Sequence, residues 1–373
     1  MQQTPLLALH EAAGARLVGD GAREPLAFGA VPEEYAAGTD GCALLDAAGR
    51  GLVRVEGGDA AEFLHRILSN HVRGLAPGEG RRQLLLTPKG KVRHVFDLER
   101  TADGERGPRF LLSTSPGEAT ALMAAIDMYL FTEDAQLADD SERHAPLELL
   151  GPGADAVVAS VLAGALPTSE RTTAVLRCGD VPVRATRLAV AGGAGWRLDA
   201  GPDGVEALWR ALEGAGARPI GRAARDILRV EACTAEPGVD VDDNLYPQEA
   251  RLHDTYADDK GCYIGQEVVA KIDTYGGLNK RLTALRIEHD DFVPRGTKLV
   301  QADDQGGKPR ELGVVTSWAY SFVLDTGLCL AYVKRRHQSV GTEFQLGALD
   351  APRATVVTAP VRPSALPLQG ELE

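Results

Sequence analysis

The sequence has no CxxC pair and no closely spaced Cys/His set. Its five cysteines, Cys42, Cys178, Cys233, Cys262 and Cys329, are odd in number and widely scattered. That excludes a disulfide framework and a zinc finger or ribbon. The clustered thiolates that hold an iron–sulfur centre are missing too, so no permanently bound metal or cluster is expected. No apolar run approaches the roughly 20 residues that span a bilayer. The opening stretch MQQTPLLALHEAAGARL lacks a basic head followed by an apolar segment, so the reading is a cytoplasmic protein with no membrane partner. Positive charge is scarce as well. A formal net charge of -13 leaves no broad basic footprint for nucleic acid. Internal repeats and low-complexity stretches are absent.

What is present is an ordinary globular composition over 373 residues, 44% hydrophobic and 25% charged, long enough for two or three packed units. Leu52, Val53 and Val55 predict a strand. Asp59 and Glu62 have the spacing of a capping box before a helix carrying Phe63, Leu64, Ile67 and Leu68 and ending near Asn70. Leu84–Thr87 and Val92–Leu98 flank a Pro88-Lys89-Gly90 turn and predict a hairpin with Val92, His94, Phe96 and Leu98 on one face. Helices are predicted over Glu118–Phe131, Gly204–Glu213 and Arg222–Ala232. Short strands follow beyond Arg286, at Thr297–Val300, Leu312–Tyr320 and Leu328–Val333, with a loop at Asp303–Gly307. Elements alternate without a regular βαβ rhythm, so the fold class is α+β, ending in a small β-barrel.

The chemistry concentrates in DDKGCYIGQEVVAKIDTYGGLNKRL, from Asp258 to Leu282. Gly261 and Gly265 bracket Cys262, which allows a tight, accessible turn. Gln266 and Glu267 open a short helix ending near Lys271. A helix start and the nearby Lys260 both favour a thiolate. The residues alone leave two readings open, a reactive thiol or a small buried hydrophobe, because no paired histidine is visible nearby. Glu267 is equally consistent with a helix-start charge.

Lys260-Gly261-Cys262-Tyr263-Ile264-Gly265-Gln266-Glu267 resembles the K-G-C-Y-x-G-Q-E signature of the folate-binding YgfZ family, relatives of the glycine-cleavage T-protein. Asn279-Lys280-Arg281-Leu282 resembles that signature's continuation. Leu45-Asp46, Val55-Glu56-Gly57, Ser69-Asn70, Leu86-Thr87-Pro88-Lys89-Gly90 and Ala224–Ala232 resemble segments of the wider superfamily. The resemblance implies a folate-binding body of packed α/β subdomains over residues 38–285 and a C-terminal barrel over 286–360. An N-terminal extension (1–37) and a flexible tail (361–373) flank them. It also implies a cavity for tetrahydrofolate or a one-carbon derivative, with Arg229, Asn70, Arg225 and Glu231 as candidate contacts and Lys271 and Lys280 as further cations.

Two departures stand out. The superfamily's aminomethyltransferases carry an acidic pair where this chain has Arg93 and His94, with Asp97 three residues too far along. In Gly195-Trp196-Arg197-Leu198, Arg197 replaces a pterin-facing glutamate, and guanidinium only donates hydrogen bonds. Ordinary aminomethyltransferase activity is therefore not expected. The function implied is folate-dependent assembly or repair of iron–sulfur clusters in client enzymes, with Cys262 as the working residue. The partners implied are those clients or assembly proteins. The alternatives are a tetrahydrofolate-dependent aminomethyltransferase or demethylation module, and a non-enzymatic folate-responsive scaffold.

Overall fold

A computed structural model describes residues 3–303 and 308–368. Asp304–Gly307 of the expected loop, and the two ends of the chain beyond these limits, lie outside the described residues. The chain forms two compact units. The first comprises residues 1–86, 93–225 and 255–264, and the second residues 87–92, 226–254 and 265–373.

The first unit holds two larger sheets. One has five strands in the order Gly80–Leu86, Val92–Arg100, Arg109–Pro116, Arg50–Glu56 and Gln136–Asp139. Ala60–Ile67 and Ala119–Asp127 are helices that bury Phe63, Leu64, Ile67, Leu122 and Ile126 with Val53, Val55, Phe96 and Leu112 of this sheet. The hairpin alternation is visible in Val92, Phe96 and Leu98, each 2% exposed. Asp59 does precede the first helix, but no side-chain cap forms there. Its carboxylate accepts instead from the Asp134 backbone N–H, and the helix stops at Ile67, short of Asn70.

The other sheet has six strands in the order Thr173–Cys178, Val181–Val190, Gly193–Asp199, Pro146–Leu150, Ala43–Asp46 and Arg218–Pro219. Its core includes the helix Gly201–Gly214. Val205, Leu208, Trp209 and Leu212 follow the 3.6-residue period and are fully buried, each contributing roughly 1.5–3 kcal/mol of hydrophobic stabilisation. The segment expected to be an extension is built into this unit. Thr4 and His10 both bond the Asp46 carboxylate, and buried Glu34 accepts from the N–H groups of Phe28, Gly29 and Gly221.

The second unit contains a closed six-stranded barrel that begins at Lys280, earlier than the change of pattern near Arg286, and ends at Val356. Strand Thr326–Lys334 is buried on both faces. Cys329, Ala331 and Val333 fill the barrel core, whereas the Tyr332 hydroxyl donates to the carbonyl of Asp240. The start of the expected flexible tail is fixed. Val361 and Arg362 N–H groups donate to the Glu231 carbonyl, and Arg362 is 2% exposed. Among the described residues, no helix is long and apolar enough to cross a membrane.

Candidate functional site

Cys262 is the exposed cysteine of the described chain. Cys42, Cys233 and Cys329 are buried and Cys178 is half-buried. Burial pushes the Cys42 thiol up to about 11 and raises Cys178 and Cys329 as well. Glycines on each side shape the Cys262 turn, in different ways. Gly261 has φ of +95° and open space around its α-carbon, so it supplies a left-handed conformation alone. Gly265, the N-cap of helix Gln266–Tyr275 with φ of +79°, also has a steric role within the second unit. A β-carbon there would lie 2.6 Å from the Thr87 carbonyl oxygen and 2.9 Å from the α-carbon of Gly90. The Thr87–Gly90 turn and the helix start thus approach backbone to backbone.

In the first unit, the segment before Cys262 runs beside the end of helix Ala60–Ile67 and is bonded to it repeatedly. Ser69 Oγ donates to the Thr255 carbonyl, and the Ala257 N–H to the Ser69 carbonyl. His71 Nε2 lies 2.8 Å from Asp259 Oδ1. Buried Lys260 donates from Nζ to the His65 carbonyl at 2.6 Å, while the His65 ring reaches back to the Lys260 carbonyl at 3.1 Å. A helix end leaves carbonyls without intrahelical partners, and a cation there is also favoured by the helix dipole. Lys260 therefore has a structural partner as well as an electrostatic one. Burial lowers its amine to about 8, opposed by the charge of Cys262 and assisted by that of Arg73. Tyr263 is buried, with the Lys260 ammonium 5.0 Å from its ring centre.

Sequence reasoning missed His65. The available signal was a histidine beside Phe63, Leu64 and Ile67 on a strongly amphipathic helix. Its Nδ1 accepts from the N–H groups of Val72 and Arg73, so the proton sits on Nε2, directed at Lys260. Glu267, by contrast, pairs on the surface with Lys271 at 2.6 Å. Gln266 begins the helix, half-buried.

The residues expected to contact folate are otherwise engaged. Arg229 is 5% exposed and donates to Asp226, to Asp240 and to Ser317 Oγ. A bulge between Val315 and Ser317 in strand Pro309–Ser321 accompanies this arrangement, with the hydroxyls of Thr316 and Ser317 both donating to Asp240. Glu231 is fully buried and accepts from Ser321 Oγ and the Val323 N–H. Asn70 uses its side chain locally, accepting from the His71 N–H and donating to the Arg82 carbonyl. Half-buried Arg225 contributes positive charge to the Glu148 site. The Lys280 ammonium lies 5.2 Å from the Tyr332 ring centre.

Arg93 and His94 are not placed as an acid–base pair. Exposed Arg93 rests its guanidinium against Met128 Sδ, and half-buried His94 faces Glu118 at 3.3 Å, its imidazole lowered by burial. Asp97, on the face of the strand opposite His94, accepts from both Arg171 and Arg197. Arg197 is buried and also holds Glu148 at 2.8 Å. Although burial opposes ionisation of Asp97, the surrounding arginines overcome it and hold this carboxyl well below the usual range. Asp97 is thereby a poor proton acceptor. The cavity beside these groups measures about 50 Å³, room for a water or two and not for a pterin. An adjoining cleft of about 1070 Å³ has no aromatic wall and is lined by ion pairs such as Arg54–Asp140, Arg109–Glu56 and Arg184–Glu99. Neither space, nor the bonded contacts Arg229, Asn70 and Glu231, fits tetrahydrofolate by the ordinary demands of a flat, partly apolar ligand.

Two family models account for most of the chain. The N-terminal domain of the GCVT family matches residues 6–260, and the glycine cleavage T-protein C-terminal barrel domain matches residues 280–361. The chain belongs to the glycine cleavage T-protein family. Within it, an aminomethyltransferase of Halothermothrix orenii is 30% identical over 90% of this chain and 92% of its own length. One from Geobacillus kaustophilus is 30% identical over 93% and 94%. The crystal structure of the glycine cleavage system aminomethyltransferase T from Bartonella henselae is 26% identical and covers 96% of this chain and 98% of its own, with a TM-score of 0.83. The α/β body and the closed barrel are thus those of the T-protein fold.

Proposed function

We propose that this T-protein family member is a YgfZ-type accessory factor that supports the assembly or repair of iron–sulfur clusters in client enzymes, with Cys262 as its working group. The observation that carries the reading is the exposed thiol at the end of a segment tied down by Ser69, His71 and His65, with the cationic Lys260 beside it. An exposed thiol near positive charge is suited to redox or sulfur exchange with a client. Reduced folate enters this proposal through the family alone. Asn70, Arg229 and Glu231 are not assigned to it, and no step is routed through it.

Two observations favour this reading over aminomethyl transfer. The expected acid positions hold Arg93 and His94, and the nearby acid, Asp97, is neutralised by two arginines. The named aminomethyltransferase relatives support the transferase as the second reading. The deciding experiment measures iron–sulfur enzyme activities, with and without oxidative stress, in cells lacking the protein and in cells restored with wild type or Cys262→Ser. Loss in the deletion strain, rescued by wild type alone, is the expected result. Normal activities in the deletion strain would sink the proposal. Robust tetrahydrofolate-dependent turnover with a lipoyl carrier protein would replace it with the transferase reading.

A further inference from the structure

The barrel of the second unit carries an aromatic stripe that begins in its core and ends in solvent. On strand Pro309–Ser321, Trp318 and Tyr320 share one face. Trp318 sits opposite Cys329 and packs on the barrel core, and Tyr320 sits opposite Gly327. Gly327 makes the room: a β-carbon there would lie 3.1 Å from Trp318 Nε1 and 2.6 Å from the His289 carbonyl oxygen, to which the Gly327 N–H donates. Phe292, in the loop after strand Lys280–Ile287, makes a T-shaped contact with Trp318, ring centres 5.5 Å apart, and is itself 69% exposed. Past the strand end, the Phe322 ring lies 5.4 Å from that of Tyr320, and Val323 is 43% exposed. A contiguous apolar surface left in water marks an interaction site. Carboxylates rim it. Asp325 accepts from the Tyr320 hydroxyl, and that bond, with the charge of Asp290 adding to it, raises the phenol above its ordinary value. Exposed Asp290 and Asp291 directly precede Phe292. Among the described residues no Lys or Arg pairs with any of these three acids, and Asp291 has only the His289 ring at 3.9 Å. Ring faces and uncompensated carboxylates attract the same thing, a cation. Together they suit arginine, whose flat guanidinium stacks on a ring while its N–H groups fork onto a carboxylate.

We propose that this end of the barrel is a docking surface for an arginine-bearing segment of a partner protein, its guanidinium groups lying against Phe292, Trp318 and Tyr320 and pairing with Asp290, Asp291 and Asp325. Charge decides the occupant. A second copy of a chain with net charge -13 would be repelled by the acidic rim, and nucleic acid and the common anionic membrane surface carry the same sign. A small quaternary ammonium ion satisfies the rings but has no N–H for the carboxylates to accept. The surface is made of second-unit residues alone, and the inference does not depend on the reading of Cys262.

The test titrates the full chain with a blocked synthetic peptide of alternating Arg and Gly, at neutral pH and about 0.15 M salt, where diffuse attraction to an acidic protein is screened. Binding is read by calorimetry and by Trp fluorescence. Trp196 and Trp209 are 1% and 0% exposed, so a fluorescence change reports on half-buried Trp318. Saturable binding with such a change is expected in wild type. Combining Asp290→Asn, Asp291→Asn and Asp325→Asn should weaken binding by roughly tenfold. Phe292→Ala, which leaves every carboxylate in place, should weaken it by roughly threefold. A control combining Glu33→Gln, Glu142→Gln and Glu213→Gln removes the same charge from exposed positions elsewhere and should bind within about twofold of wild type. Absence of saturable binding, equal weakening by the control, or equal affinity for tetramethylammonium or a Gln–Gly peptide overturns the proposal. Self-association in sedimentation that Phe292→Ala abolishes also overturns it, giving the surface to a second copy. Melting curves check the fold of each variant, and if Phe292→Ala does not fold, the Asn variant against its control still decides. No readout here involves Cys262, so failure leaves the proposed function standing, and the cell experiment with Cys262→Ser tests that reading separately.

Discussion

Replacing Arg229 by Met should damage the second unit, not a ligand site. The guanidinium and the Asp240 carboxylate are 6% and 0% exposed and lie 2.8 Å apart. Met keeps much of the volume and removes the charge, so Asp240 is left buried without this counterion. Breaking a buried pair on one side costs about 3–5 kcal/mol. Asp240 keeps hydrogen bonds from the Glu236 N–H, Thr316 and Ser317, which places the loss near the lower end, about 3 kcal/mol. At roughly 2–4 °C per kcal/mol for chains of this general size, the melting temperature should fall by about 6–12 °C. Chemical denaturation followed by Trp fluorescence and calorimetric melting would measure it. Adding Asp240→Asn to the same variant should recover part of the loss, because the stranded charge is then gone. If Arg229→Met melts within about 1 °C of wild type while weakening the binding of tetrahydrofolate, the reasoning is refuted and Arg229 returns to the ligand site.

Three further outcomes are expected. In pulsed alkylation at pH 8 with peptide mapping, Cys262 should react first, because Cys42, raised to about 11, is ionised to only about one part in a thousand; labelling of Cys42, Cys178 or Cys329 as fast as Cys262 would contradict the exposed-thiol account. Gly265→Ala should cost more than about 2 kcal/mol in denaturant melts, since it adds a backbone clash to an unfavourable φ, whereas Gly261→Ala should cost only about 1 kcal/mol; equal losses would dismiss the close approach of Gly90 and Gly265. Asp97→Asn should destabilise the protein at pH 7 by about 2 kcal/mol. Its folded carboxyl lies below the unfolded value of about 3.9, so the difference from wild type should shrink as pH falls below 4; a difference that is constant from pH 7 to pH 3 would argue against charge as its source.

Where one face of an element is apolar, the fold was legible from the residues. Val205, Leu208, Trp209 and Leu212 announce their helix, and the Pro88-Lys89-Gly90 turn its hairpin, because local periodicity and turn chemistry suffice there. Asp59 and Glu62 had the right spacing for a cap, but a bond to Asp134, distant in sequence, took the Asp59 carboxylate. The exposure of Cys262 followed from its flanking glycines, while His65 could not be paired with it by eye because 195 residues separate His65 from Lys260. Arg229 and Glu231 illustrate the same limit. A charged residue in a helix looks available until the buried Asp240 or Ser321 that satisfies it is known.

The Asp240 cluster also bears on how this protein can be dissected. Sequence families divide the chain between residues 260 and 280, an inviting place to cut for expressing the barrel alone. A fragment starting at Lys280 would carry Ser317, Ser321 and Tyr332 but would lack Arg229, Glu231 and Asp240, to which those side chains are bonded. It would also strip cover from strand Thr326–Lys334, which is buried on both faces. The inherited module and the folding module have different edges. The piece that ought to be soluble by homology is one whose interior polar contacts were left on the other side of the cut.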